Sequence, residues 1–523
     1  MFESTGIKAD DLKALGRKVL RRGGKQILLI AAEGRIFAVA NRCPHEGYPL
    51  SEGTEGAGCV LTCNWHNWKF DLATGAALIG RDPVRTYAVE LRDGEIFLDF
   101  ADPPADAQRE SALGGLDKAL ADNDMPRMAR EVARLERAGF DAREALVHAL
   151  KARNEYLENG MTHAHAAAAD WLALAARAPD PDRRLAATLE PLAHLAWDTE
   201  GAGEFPYAPE TLPWNAQAFL AAMEAEDEPQ AVARMRGAIA DRVPYAALRP
   251  VIAEAALAHY ADFGHSAIYT LKAGQLIERL GVDAREAVLL ALTRQQIQAT
   301  REERLPEFRF HAKALAAWDG KGEAPASAGE FRGLSIDAAL QRTLESSGRG
   351  PHELFDALLG AAAWNLLHFD TGYDAAIANP IADNVSWLDF THALTFANAA
   401  RVLCEERPDL WPRALLQMAL FVGRNRGYVN ADQDVARWRV DDPVAFIASG
   451  MASLYDHGIV EPIIACHRLK MLFALEAELA AAPDAPWAAT MCAAMNRWLA
   501  TPQKRHHGLR IAHQARDFIA REA

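Results

Sequence analysis

Two patterns of apolar and polar residues divide the chain. From about residue 7 to 100 the apolar residues fall in short runs set off by turn residues, the signature of strands. Gln26-Ile27-Leu28-Leu29-Ile30 and Arg35-Ile36-Phe37-Ala38-Val39 flank the turn-like Glu33-Gly34 and predict a hairpin. Lys69-Phe70-Asp71-Leu72, Thr86-Tyr87-Ala88-Val89 and Glu95-Ile96-Phe97-Leu98 predict further strands, with turns at Gly75 and Asp93-Gly94. Pro103-Pro104 then ends any strand ladder and marks a linker over 101–111. From 112 onward Ala, Leu, Glu and Arg recur with helical spacing, as over 124–139, 141–159, 248–280 and 459–482. A Gly/Pro/Ser-rich stretch at 319–329 predicts a division of this part into halves, 112–318 and 330–523. The expected fold is multidomain: a small antiparallel β domain over 7–100, then a large all-α region.

The length of 523 residues exceeds what one core supports. A formal net charge of −15 argues against nucleic acid, whose binding rests on neutralised phosphates, and against an anionic membrane surface. The sequence shows no basic stretch followed by an apolar run at Met1-Phe2-Glu3-Ser4, and no apolar stretch long enough to span a bilayer. Six scattered cysteines fit a reducing compartment better than a disulfide framework, so a cytoplasmic location is expected.

The chemistry concentrates in Cys43-Pro44-His45 and Cys63-Asn64-Trp65-His66, with 17 residues between His45 and Cys63. Two cysteines and two histidines in interleaved pairs form the ligand set of a Rieske [2Fe–2S] centre, where thiolates hold one iron and imidazoles the other. Cys2His2 is also a zinc set, but zinc fingers run two cysteines and then two histidines. The stretch resembles the Rieske family across Pro49-Leu50-Ser51-Glu52-Gly53, Asn67-Trp68-Lys69-Phe70-Asp71 and Thr74-Gly75 as well. The resemblance implies a small β module with a [2Fe–2S] cluster held by Cys43, His45, Cys63 and His66. High-potential members carry an extra cysteine pair, absent from Glu46-Gly47-Tyr48 and Asn64-Trp65, and a serine where this chain has Trp68. Both departures point to a low potential and to the ferredoxin and oxygenase branch.

The helical part does not resemble the α/β catalytic domain that usually follows this module in Rieske oxygenases. It contains an internal echo, Asp262-Phe263-Gly264-His265 and Asp389-Phe390-Thr391-His392. Asp and His three apart share a helix face, and two such helices would gather Asp262, His265, Asp389 and His392 into a second iron site. Ser386 before Asp389 equally suits a helix cap. His163, His165, His259, His368 and His467 are further candidates for catalysis or substrate binding. Through His163-Ala164-His165, His259, Gly264-His265 and Thr391-His392-Ala393-Leu394 this part also resembles the questin oxidase-like family, helical proteins linked to oxidation of polyketide quinones. No Gly-x-Gly-x-x-Gly nucleotide fingerprint follows a strand, so a separate NAD(P)H-dependent reductase or ferredoxin reductase is the expected electron donor, and a small organic substrate the target. The contrasting expectations are a non-enzymatic ferredoxin-type carrier with a helical docking module, and a redox sensor.

Overall fold

The computed structural model describes residues 1–502 and 508–521. The chain separates into two compact units, Met1–Ser111 and Ala112–Ala523.

The first unit is built of antiparallel strands in three small sheets. Phe2–Lys8 pairs with Glu95–Asp99, which pairs with Val89–Arg92. Arg17–Arg22, Lys25–Ala32 and Arg35–Ala40 form the second sheet, and four three-residue strands between Thr54 and Ile79 form the third. The predicted hairpins close as expected. Glu33 and Gly34, and again Asp93 and Gly94, take positive φ, the geometry that matches the twist of paired strands. The strand Lys25–Ala32 is apolar on both faces because each face meets its own core. Ile27 and Leu29 pack with Ile7, Leu12 and Ile96, whereas Leu28 and Ile30 pack with Phe37, Leu61, Phe70 and both Cys43 and Cys63. The second core therefore seats the two cysteine loops.

The second unit is helical, and one hydrophobic core runs through it from Ala112 to Trp498. This corrects the expected division at 319–329. That stretch is bonded along its own unit, through Ala324 N–H to Glu345 O at 2.8 Å and Gly348 N–H to Gly322 O at 2.7 Å, and separates no cores. The expected linker over 101–111 is shorter, because a helix begins at Ala105, directly after the two prolines. The pattern over 248–280 also breaks. Tyr245–Ala256 and His265–Leu280 are separate helices, and Asp262, Phe263 and Gly264 between them all take positive φ. Asp262 N–H donates to Thr300 O (2.8 Å) and Glu302 N–H to Tyr260 O (3.0 Å), which pins the strained turn.

Four helices close a ring. His163–Ala176 packs on His265–Leu280 and on Pro462–Ala481, and Trp387–Glu406 packs on the same two. His163–Ala176 is buried along nearly its whole length, as a helix surrounded by others must be. The ring also encloses polar groups. Lys272 Nζ donates to Asp170 Oδ1 at 2.7 Å with both side chains buried. No helix among the described residues is long and apolar enough to cross a membrane.

Removing one member of a buried ion pair strands the other charge, at a cost of about 3–5 kcal/mol. Lys272→Met is therefore expected to lower the unfolding free energy, read from denaturant melts of the helical signal, by that amount, and Lys272→Met/Asp170→Asn to recover most of it. Equal loss in the single and double variants would count against the pair as the cause.

Candidate metal centres

The two cysteine loops of the β unit share one backbone plan. Cys43 N–H donates to Tyr48 O and Gly47 N–H to Cys43 O, both at 2.8 Å. Cys63 N–H donates to Trp68 O (2.8 Å) and Asn67 N–H to Cys63 O (2.9 Å). The residue before each closing aromatic needs positive φ, met by Gly47 and by Asn67, a side chain that tolerates that conformation. The loops bring His45 and His66 edge to face at 4.6 Å between ring centroids. Trp68 stacks on His45 at 4.7 Å, and Tyr48 stacks on Trp65 at 4.1 Å.

The donor set suits a mixed thiolate–imidazole cluster. Cys43 and Cys63 are buried with their thiols in hydrogen-bond contact, and burial pushes the Cys43 thiol up to about 11. Backbone N–H groups of His45 and Glu46 oppose that rise and are placed to stabilise a thiolate. His45 Nδ1 is buried without a hydrogen-bond partner, as a nitrogen reserved for a metal would be. All four expected ligands are thus gathered.

The helical unit gathers a second set. His163, His265, His392 and His467, one from each helix of the ring, meet with neighbouring ring centroids 4.5–4.9 Å apart. Three of them are oriented by carbonyls of their own helical turn. His265 Nδ1 lies on Asp262 O, His392 Nδ1 on Leu388 O at 2.7 Å, and His467 Nδ1 on Ile463 O at 2.7 Å. A carbonyl only accepts, so each Nδ1 carries the hydrogen and each Nε2 presents a bare lone pair. His392 Nε2 and His467 Nε2 nevertheless face each other at 3.2 Å, and His265 Nε2 faces His163 Nε2 at 3.1 Å. A proton on His163 relieves the second contact, with Tyr269 Oη donating to His163 Nδ1 at 3.2 Å. Among the described residues no donor bonds either Nε2 of the first. Burial drives His163, His392 and His467 well below the ordinary imidazole range, so protonation is disfavoured. A metal cation bound by the lone pairs resolves the contact, and His163, His392 and His467 hold ligand atoms within 4.8 Å of one another.

His265 and His392 therefore come together, whereas the expected aspartates do not join them as ligands. Asp389 bonds the Ser386 N–H at 2.8 Å in a capping box and pairs with Arg424 at 3.2 Å. Asp262 serves His265 chiefly through its backbone carbonyl, its carboxylate lying 3.4 Å from the same Nδ1. Of the remaining candidates, His163 and His467 belong to the cluster and the other three stand elsewhere. His165 closes the cap of its own helix with Thr162, and burial lowers it to about 4. His259 is paired with Glu303 and Glu224, and the Glu303 contact raises it. His368 stacks on Trp364 at 4.1 Å with Nδ1 on Trp364 O.

Sequence reasoning missed Tyr269 and Lys470. They follow His265 and His467 by four and three residues, a spacing that places them on the same helix faces. Lys470 is buried, its Nζ has no hydrogen-bond partner, and burial lowers it.

The β unit is by its loops and core an iron–sulfur electron-transfer module. Comparison with known proteins agrees: the Rieske [2Fe-2S] domain matches residues 5–88. The chain belongs to the Rieske [2Fe-2S] domain family through this unit, and a [2Fe–2S] cluster is its cofactor. It is 31% identical over 108 residues to the p-cumate 2,3-dioxygenase system ferredoxin component of Pseudomonas putida, covering 20% of this chain and 92% of that protein. It is 38% identical over 105 residues to the 4beta-methylsterol monooxygenase of Methylococcus capsulatus, covering 18% of this chain but only 28% of that protein. Among solved structures, the ferredoxin of carbazole 1,9a-dioxygenase from Nocardioides aromaticivorans IC177 matches at 26% identity and a TM-score of 0.18, over 19% of this chain and 96% of that one. The four histidines of the ring lie outside residues 5–88.

In metal-free protein, His467→Leu removes one of two facing lone pairs and is expected to stabilise the helical unit by about 1 kcal/mol. In metal-loaded protein it removes a ligand and lowers the melting temperature instead. Melting curves with and without chelator read the sign; the same sign in both would remove the case for a cation.

Proposed function

We propose that the chain is an oxidoreductase in which Cys43, His45, Cys63 and His66 hold the [2Fe–2S] cluster and His163, His265, His392 and His467 hold a second, redox-active metal. The cluster supplies electrons one at a time. Its irons are fully ligated by protein and sulfide, so it cannot bind substrate. The histidine centre offers imidazole donors and, among the described residues, no carboxylate in the group of clustered ligand atoms, so an ion held there would keep room for a further ligand. Imidazole donors suit iron or copper, and the electron supply favours an ion that changes valence. The observation that carries this reading is the facing pair of unprotonated Nε2 atoms on His392 and His467.

A separate NAD(P)H-dependent or ferredoxin reductase delivers the electrons, and a small organic molecule is oxidised at the helical centre. Relatives named as dioxygenase ferredoxin and monooxygenase support an oxygenase-type partnership. The likeness of the histidine-bearing helices to questin oxidase-like proteins supports an aromatic or quinonoid substrate. Six unpaired cysteines support a reducing, cytoplasmic setting.

Metal analysis and spectroscopy of the whole chain test this reading. Wild type is expected to carry about three metal ions, two of them cluster iron. His392→Ala/His467→Ala is expected to lose the additional ion while the reduced protein keeps its cluster resonance. His45→Ala is expected to lose the resonance while keeping the additional ion. About two irons per chain, unchanged by the double variant, would instead establish a ferredoxin-type carrier.

A further inference from the structure

Glu46 stands between the two imidazoles of the cluster loops. Its Oε1 lies 4.0 Å from His45 Nε2 and its Oε2 lies 3.8 Å from His66 Nε2, so each carboxylate oxygen faces one ring. The loop fixes this placement. Glu46 sits inside the turn closed by Gly47 N–H to Cys43 O, and its own backbone N–H is directed to Cys43. Its side chain is half exposed, and the rings of His45 and His66 are more covered, at 32% and 40% exposure. The charge is therefore close to the ligands and only partly screened by water.

We infer that Glu46 sets the reduction potential of the cluster, holding it low through the negative charge it places beside both imidazole ligands. The inference rests on the reading that His45 and His66 hold the cluster iron. Nδ1 of His45 is buried and unpartnered, the nitrogen left for iron, while both rings turn Nε2 towards the carboxylate. Reduction adds one electron and no bond changes. The reduced cluster carries one more negative charge than the oxidised one, and a fixed anion opposes its arrival. The effect has the same sign as Trp68 standing where high-potential members of the family place a sulfide-bonding serine. Glu46 is in this sense a tuning residue and touches no substrate.

The test is an equilibrium reductive titration of the full chain at pH 7 against a one-electron dye, with the cluster followed by its visible absorption and by the resonance of the reduced state. Glu46→Gln is expected to make the cluster about tenfold easier to reduce, a rise of about 59 mV for one electron. Glu46→Lys changes the charge by two units and is expected to give about a hundredfold. Glu46→Asp keeps the charge and is expected to stay within about threefold of wild type. Glu90→Gln removes an equal charge from the strand Val89–Arg92 and is expected to leave the potential in place. An unmoved potential in Glu46→Gln and Glu46→Lys overturns the inference while the cluster assignment stands. So does a shift that Glu46→Asp or Glu90→Gln reproduces in full, or loss of the cluster in all three Glu46 variants, which makes the residue structural. Wild type without the resonance overturns the cluster assignment itself, and the inference with it.

Discussion

The helical unit depends on a bond that no side-chain motif announces: an imidazole Nδ1–H donated to a main-chain carbonyl one turn back. It occurs at His392 and His467, and at His265 with Asp262. Because a carbonyl cannot donate, the bond removes the choice of tautomer. Because the carbonyl belongs to the same helix or its leading turn, it also fixes the ring direction. Three of the four helices then deliver one lone pair each to the middle of the ring. Two such lone pairs at 3.2 Å repel, and the low-dielectric core around them screens that repulsion poorly. Packing that forces the repulsion makes sense when a cation occupies the same space.

The same economy appears in the β unit. Its two cysteine loops use matching pairs of main-chain hydrogen bonds and a positive φ at matching places, 47 and 67, although their sequences differ at most positions. The strand Lys25–Ala32 supports this arrangement by feeding Leu28 and Ile30 into the core that also holds Cys43 and Cys63. Aromatic rings from the loops themselves cover the imidazoles. The two loops are thus anchored by main-chain bonds and core packing, a preorganised mount of the kind that suits one-electron transfer.

Much of this was legible from residues alone. The β unit was readable because its turns use Glu33-Gly34 and Asp93-Gly94, whose chemistry fixes hairpins locally, and because interleaved Cys/His pairs have few structural uses. The histidine centre was half legible. The repeated Asp-x-x-His named His265 and His392, but the repeat misled about the aspartates. Asp389 is drawn away by the Ser386 cap, three residues back, and by Arg424 on the following α-helix. Asp262 sits in a left-handed turn rather than on a helix, so three-residue spacing does not give it a shared face with His265. His163 and His467 could be named but not placed, since only the closure of four helices brings residues 304 positions apart together. The break at 319–329 was misread because Gly and Pro mark any turn, whether or not a core ends there.

On the proposed reading the two centres have opposite electrostatic character. The cluster has two thiolates, two sulfides and the Glu46 carboxylate nearby, an excess of negative charge that favours giving an electron up. The histidine centre offers only imidazole donors, beside Lys470, whose charged form burial disfavours, and the Asp262 carboxylate stands behind His265, 3.4 Å from its Nδ1. A buried ion without anionic ligands is costly, and each further positive charge costs more. Such a site favours the lower valence and draws electrons in. Within that proposal the charge distribution favours flow from cluster to histidine centre. It also leaves the ion short of negative charge, a deficit that an anionic or reducible ligand from solution can fill.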